Sequence, residues 1–258
     1  MRFIRLEHAG LPYFASVEDA ETARLWSRAP WDPGAGPTDR YVPLARTRPL
    51  PPVAPSKIVA VGRNYAAHAR ELGNDVPPEP LLFLKPPSAL VSHETQIELP
   101  SDSNRVEHES EIGIVFRSRL RDGDLAAARD AIFGVTCVND VTARDLQKRD
   151  VQFTRAKGFD TFCPVGPWIE TDFDLDGLSV ACRVNGTERQ RGFVRQMAFP
   201  ILRLIEYVSH VMTLEPGDLL LTGTPEGVGP LVPGDVVEIE VSGVGVLRNP
   251  VVARAAAR

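Results

Sequence analysis

Two hydrophobic periods alternate along the chain. Val106 to Phe116, "VEHESEIGIVF", steps by two: Ile112, Ile114 and Phe116 share one face of a strand, while Glu107, Glu109 and Glu111 share the other with Gly113 and Val115. Strand-like runs recur at "KIVAVGRN", "LLFLKP", "AIFGVTCVND", "CPVGPWIE", "LSVACRVNG", "DLLLTGT" and "DVVEIEVSGVGVL". The period changes in "FPILRLIEYVSHVM", which predicts an amphipathic helix. Shorter helices are expected in "YAAHARELG", which Gly73 can end, and in "TARDLQKRDVQ". "MRFIRLEH" and "LPYFASV" read as strands around a turn, and "SVEDAETARLW" as a short helical patch. Strands outnumber helices and are spaced too irregularly for repeating βαβ units, so the expected class is α+β and β-rich.

The stretch "PWDPGAGPTDRYVPLARTRPLPPVAPS" is dense in Pro and Gly, which cannot continue a helix or a central strand. It is expected to be loop and linker, with a boundary near Pro55. That divides the chain into a small N-terminal domain with its linker, residues 1–55, and a larger domain over 56–258. A net charge of -5 argues against nucleic acid or an anionic membrane surface as the main partner. No apolar run approaches the roughly 20 residues that span a bilayer. Cys137, Cys163 and Cys182 are widely spaced and form no C-x-x-C pair, as in a reduced compartment. A soluble, cytoplasmic protein is the expectation.

Three glutamates on one strand face repel one another and call for compensation. Residues two apart lie about 6.5–7 Å apart on that face, so two carboxylates can converge on one hard cation. A solvated acidic face is the simpler explanation for E-x-E alone. Asp140, just past the apolar strand "AIFGVTCVND", offers a third carboxylate. Thr142 with Asp145 makes a better capping box than Asp140 does a cap, which leaves Asp140 free. Arg144 and Gln147, three apart on the following helix, can turn towards the same place. Glu107, nearer the strand's start, is expected to reach solvent, and His108 falls on the opposite face.

His68 and Glu71 are three apart on a short helix, a pairing that suits a general base and equally an exposed surface pair. The loop-like "ELGNDVPPEP" behind them makes this helix a candidate lid. Lys157, in "RAKGFDTFCPVGP", can neutralise an anion beside a cation, and the turn "LLLTGTPEGVGP" carries Thr224, whose hydroxyl can hold a carboxylate. That turn lacks the phosphate-loop pattern, and no G-x-S-x-G elbow occurs, which argues against nucleotide binding and serine nucleophiles.

Six segments in order, "GRNYAAHARELG", "FLKP", "EHESEIGIV", "VNDVTARDLQ", "RAKGFDTFCPVGPW" and "MTLEPGDLLLTGTPEGVG", resemble the fumarylacetoacetate hydrolase family from about Lys57 to Val251. The resemblance implies a mixed β-roll with a small N-terminal β-containing domain, usually dimeric. It implies one Mg²⁺ or Mn²⁺ per chain, held by Glu109, Glu111 and Asp140, and a water-activating dyad of His68 and Glu71 on a lid. Arg144, Gln147, Lys157 and Thr224 match positions that contact the oxo and carboxylate groups of a small oxo-acid substrate. "RGFVRQMAF" departs from the family's usual stretch before the long helix, and "KIVAVGRNYAAH" lacks an additional acidic ligand, so water is expected to complete the coordination.

The reaction that follows is C–C hydrolysis of an acylpyruvate- or fumarylpyruvate-type acid through a metal-stabilised enolate. The same enolate serves oxaloacetate decarboxylation or isomerisation of a 2-hydroxyhepta-2,4-diene-1,7-dioate. A protein that holds a metal–carboxylate complex without turnover is the reading from another class.

Overall fold

The computed structural model describes residues 1–255. Twelve strands form one large mixed sheet. Its path runs through Cys163–Glu170, Ile132–Asn139, Ser110–Phe116, Leu219–Leu221 and Ile58–Gly62 to the edge strand Leu81–Lys85. Neighbours along this path are antiparallel except Leu219–Leu221 beside Ile58–Gly62, which run parallel. A five-stranded sheet, Thr187–Phe193, Ser179–Val184, Val236–Val241, Gly245–Ala253 and Ile97–Leu99, packs against it. The fold is the β-rich α+β class expected from the strand count.

The central strands are apolar on both faces because both faces are covered. Ile112, Ile114 and Phe116 meet Val180, Cys182, Val237, Ile239 and Val241 of the smaller sheet. On the reverse, Val115, Val138, Leu219, Leu221, Ile58 and Ala60 form a second cluster with Phe3 and Val53. Gly113 lets neighbouring strands close up, since a Cβ there would come within 2.5 Å of the Val138 side chain. The expected amphipathic helix spans Ile201–Val211 and buries Ile201, Leu204, Ile205 and Val208.

Several local expectations change. "SVEDAETARLW" is not helical: Asp19 accepts the N–H groups of Glu21 and Thr22 and turns the chain into strand Thr22–Trp26. Ala23 and Leu25, two apart, point into a small core with Leu6, Ala15 and Val42, so burial favours the two-residue period. The Pro-rich stretch also contains strands, Pro37–Pro43 and Arg48–Leu50. Pro37–Pro43 closes one end of the sheet, where an edge tolerates proline. The strands Arg2–His8, Leu11–Val17, Thr22–Trp26 and Pro37–Pro43 continue the large sheet, joined through Phe3 opposite Ile169.

"VEHESEIGIVF" is two strands rather than one. Val106–His108 pairs with Thr142–Ala143 and Gly229–Pro230 in a separate three-stranded sheet, while Ser110–Phe116 enters the large one. Glu109 lies at the break; its N–H donates to Asn139 Oδ1 at 3.0 Å and its carbonyl accepts Asp140 N–H at 2.8 Å. The Thr142–Asp145 capping box does not form. Thr142 donates its hydroxyl to the Asp140 carbonyl, and Asp145 is taken by Ser103 Oγ and the N–H of Asn104, so the helix is only Arg144–Arg149. Among the described residues, no helix is long and apolar enough to cross a membrane.

Candidate metal centre and active-site pocket

The break at Glu109 and the end of strand Ile132–Asn139 deliver the acidic groups to one point. Glu109, Glu111 and Asp140 are all buried and present carboxylate oxygens within 4.8 Å of one another. They line a cavity of about 250 Å³ together with His68, Arg144, Gln147, Lys157 and Thr224, so eight of the nine residues singled out from the sequence share one wall. Glu71 is the ninth and reaches the wall through His68, whose Nδ1 lies 3.2 Å from Glu71 Oε2. Glu71 Oε1 also accepts Gly227 N–H at 3.0 Å, which ties the six-residue helix Ala66–Glu71 to the Gly-rich turn.

Buried carboxylates require compensation, and the cluster supplies it unevenly. Lys157, at the end of the short helix Thr154–Lys157, donates to Glu109 Oε2 at 2.8 Å and to Asp140 Oδ2 at 2.5 Å. Lys85 donates to Asp140 Oδ1 at 2.6 Å. The Arg144 guanidinium bonds Glu109, Glu107 Oε2 at 2.7 Å, and Gln147 Oε1 at 2.5 Å. Burial opposes the charge on Glu109, yet Lys157 and Arg144 outweigh it and hold that carboxyl below the usual range. Burial likewise opposes the Lys157 ammonium, and Asp140 and Glu109 overcome it.

Glu111 is the exception. Its protein donor is the Gly223 N–H at 2.6 Å, with no ion pair among the described residues. Burial first, then the charges of Asp140 and Glu109, push its carboxyl well above the usual range. One under-compensated carboxylate beside two others forms an all-oxygen donor set that fits a hard divalent cation such as Mg²⁺ or Mn²⁺.

Residues 57–252 match the model described as fumarylacetoacetate (FAA) hydrolase C-terminal. The chain belongs to the fumarylacetoacetate hydrolase family. Residues 1–52 match a second model, Rv2993c-like, N-terminal. The mitochondrial oxaloacetate decarboxylase of Dictyostelium discoideum is 47% identical over 195 residues, 73% of this chain and 87% of that protein. Among solved structures, a 5-carboxymethyl-2-hydroxymuconate delta-isomerase from Mycobacterium smegmatis is 44% identical with a TM-score of 0.92, covering 98% of this chain and 100% of its own. A maleylpyruvate hydrolase from Sphingobium sp. SYK-6, solved with manganese(II) and pyruvate, is 32% identical with a TM-score of 0.80, covering 99% and 100%. The chain is thus an enzyme of this family, whose named relatives are decarboxylases, isomerases and hydrolases.

Glu107 departs from its expected position, and Lys85 and Asn64 join the surroundings of the site. Glu107 does not reach solvent: it is 1% exposed and bridges Arg105 and Arg144, because the chain turns at Glu109 and folds the first strand inward. Lys85, the lysine of "FLKP", has no role in the sequence reading and proves to be a buried partner of Asp140. Asn64, in "GRNY", is fully buried; it donates to the carbonyls of Thr222 and Phe199 and accepts Phe199 N–H, fastening the loop before His68. Polar residues embedded in apolar runs were the available signal for both. His108 lies away from the carboxylates, with Nδ1 2.9 Å from Gln190 Oε1. The divergent "RGFVRQMAF" runs beside Tyr65, which Met197 meets in a single β-bridge, and it is not part of the cavity wall.

Proposed function

We propose that the chain is a Mg²⁺- or Mn²⁺-dependent enzyme that hydrolyses a C–C bond in small 2-oxo or 1,3-diketo (di)carboxylic acids of acylpyruvate or fumarylpyruvate type. The observation that carries this reading is the convergence of Glu109, Glu111 and Asp140 in the cavity that His68 also lines. Those three carboxylates would hold the cation, which when bound supplies Lewis acidity to a chelating 2-oxo carboxylate.

The chain's own groups complete the chemistry. Glu71 orients His68 through Nδ1, leaving Nε2 to take a proton from water. The water oxygen bonds to the distal carbonyl carbon, and the bond from that carbon to the neighbouring CH₂ breaks. Its electron pair becomes a pyruvate enolate, which then takes up a proton. Lys157 adds positive charge where the enolate oxygen gathers its negative charge. Arg144 occupies the Gln147 carbonyl, so the Gln147 amide keeps its N–H groups for substrate. Thr224 offers a hydroxyl to a substrate oxygen.

The 47% identical oxaloacetate decarboxylase supports a second reading, in which the same enolate arises by loss of CO₂. A panel of acetylpyruvate, fumarylpyruvate, oxaloacetate and an unsaturated C7 dioate, each with Mg²⁺ or Mn²⁺, separates the two. We expect acetylpyruvate to yield acetate and pyruvate, with activity abolished by chelation. CO₂ release from oxaloacetate without any cleavage of acylpyruvates would replace hydrolysis by decarboxylation. His68→Ala should remove hydrolysis while divalent-cation affinity stays within a few fold; a large loss of metal binding would show that His68 is misassigned.

A further inference from the structure

Gln190 belongs to strand Thr187–Phe193 of the five-stranded sheet and is 1% exposed. Both ends of its amide are engaged. Oε1 accepts Ser110 N–H at 3.1 Å and lies 2.9 Å from His108 Nδ1; Nε2 donates to the Pro225 carbonyl at 2.7 Å and to Thr224 Oγ1 at 2.8 Å. Two of these four partners have fixed polarity: a backbone N–H only donates, and a carbonyl only accepts. They leave the amide one orientation, with oxygen towards Ser110 and nitrogen towards Pro225.

Two consequences follow from that orientation. His108 Nδ1 faces an acceptor and must carry the ring proton. Thr224 Oγ1 receives a hydrogen from Nε2, so its own proton points away from Gln190. Thr224 Oγ1 makes no other hydrogen bond among the described residues, and Thr224 lines the metal-site cavity. Thr222, two residues earlier, contrasts with it: that hydroxyl is spent on the Ile112 carbonyl at 2.9 Å. The sequence Thr222-Gly223-Thr224 therefore offers one hydroxyl to the sheet and one to the cavity.

We propose that Gln190 is a positioning residue that makes the Thr224 hydroxyl an obligatory donor to an anionic oxygen of the bound oxo acid, with the Ser110 N–H and the Pro225 carbonyl holding the amide in that sense. The ligand named here rests on the oxo-acid reading above; the amide orientation does not.

Oxalate, which carries the chelating oxygens and cannot react, is the probe for calorimetry on the Mn²⁺-loaded full chain. Thr224→Val should weaken oxalate about tenfold, the worth of one hydrogen bond to a charged oxygen. Thr224→Ser should bind within twofold of wild type. Gln190→Met should weaken oxalate about fivefold alone, yet Gln190→Met/Thr224→Val should be no weaker than Thr224→Val. Unaltered binding by Gln190→Met, or an undiminished loss in the Thr224→Val background, would overturn the proposal. A measurement on wild type alone covers the case of a poorly folding Gln190 variant. The ¹⁵N spectrum of His108, identified by its loss in His108→Asn, should show the proton on Nδ1; a proton on Nε2 alone overturns the inferred orientation. Failure of wild type with Mn²⁺ to bind oxalate overturns the oxo-acid reading and the ligand proposed here, and the tautomer still decides the orientation.

Discussion

Lys85 and Lys157 approach Asp140 from its two oxygens, at 2.6 Å and 2.5 Å, in a place that water does not screen. Lys85 would compete for Asp140 Oδ1 with a divalent cation held by the three carboxylates. Lys85→Met keeps a stem of similar length and removes the charge. Breaking a buried pair costs about 3–5 kcal/mol; because Lys157 still holds Asp140, we expect about 3 kcal/mol in urea unfolding without metal. Removing the positive charge beside Asp140 should tighten Mn²⁺ by at least about tenfold. Calorimetry reads the sign directly: weaker Mn²⁺ binding would mean that Lys85 aims Asp140 rather than competing for it. At this scale the carboxylates were legible, because a two-residue period places Glu109 and Glu111 together and an apolar strand ends at Asp140. Lys157 and Arg144 were legible as site residues, but Lys85 and the pairing of each cation with its carboxylates were not. Lys85 is 55 residues from Asp140, and Arg144 reaches back 37 residues to Glu107, so no local pattern announces either pair.

Helix Ala66–Glu71 has six residues, too few to persist alone, and is secured by what flanks it. Asn64 fastens its entry and Gly227 its end. Gly223 underlies both this loop and Glu111: its φ is +94°, a Cβ would come within 2.7 Å of Asn64 Cβ, and its N–H serves Glu111. Gly223→Ala combines a strained left-handed alanine with a clash against a fully buried side chain. We expect a loss of about 3 kcal/mol in chemical unfolding and faster hydrogen exchange through Ala66–Glu71. An unchanged unfolding midpoint would show that the turn relaxes freely and that Asn64 does not depend on it. The Gly-rich turn was legible from "LTGTPEGVG", and the long helix from its 3.6-residue period. The break at Glu109 was not, because alternation continues across it while the pairing partner changes from one sheet to another.

The chain's first residues are part of the large sheet. Residues 2 and 3 pair with Glu170 and Ile169, a contact across 168 and 166 positions that no nearby residue signals. Glu170 is its polar fastening: it accepts the Met1 ammonium at 2.9 Å, Arg2 Nε at 3.3 Å, and the N–H groups of Thr171 and Asp172. Burial opposes its charge, and the Met1 ammonium, the Asp172 N–H and Arg2 together outweigh burial, so its carboxyl lies below the usual range. A carboxyl depressed in the folded state stabilises above its unfolded value of about 4.3 and loses that contribution as pH falls through the folded value. Glu170→Gln should therefore be less stable than wild type at pH 7, by only about 1 kcal/mol because Met1 and Arg2 are partly in solvent. The difference should shrink once the pH drops below about 4. Hydrogen exchange in Arg2–His8 should quicken in the variant at pH 7 and converge with wild type in acid. A deficit that stays constant with pH would instead assign the effect to packing around residue 170, and the first strand would then be joined to the sheet by its backbone ladder and Phe3 alone.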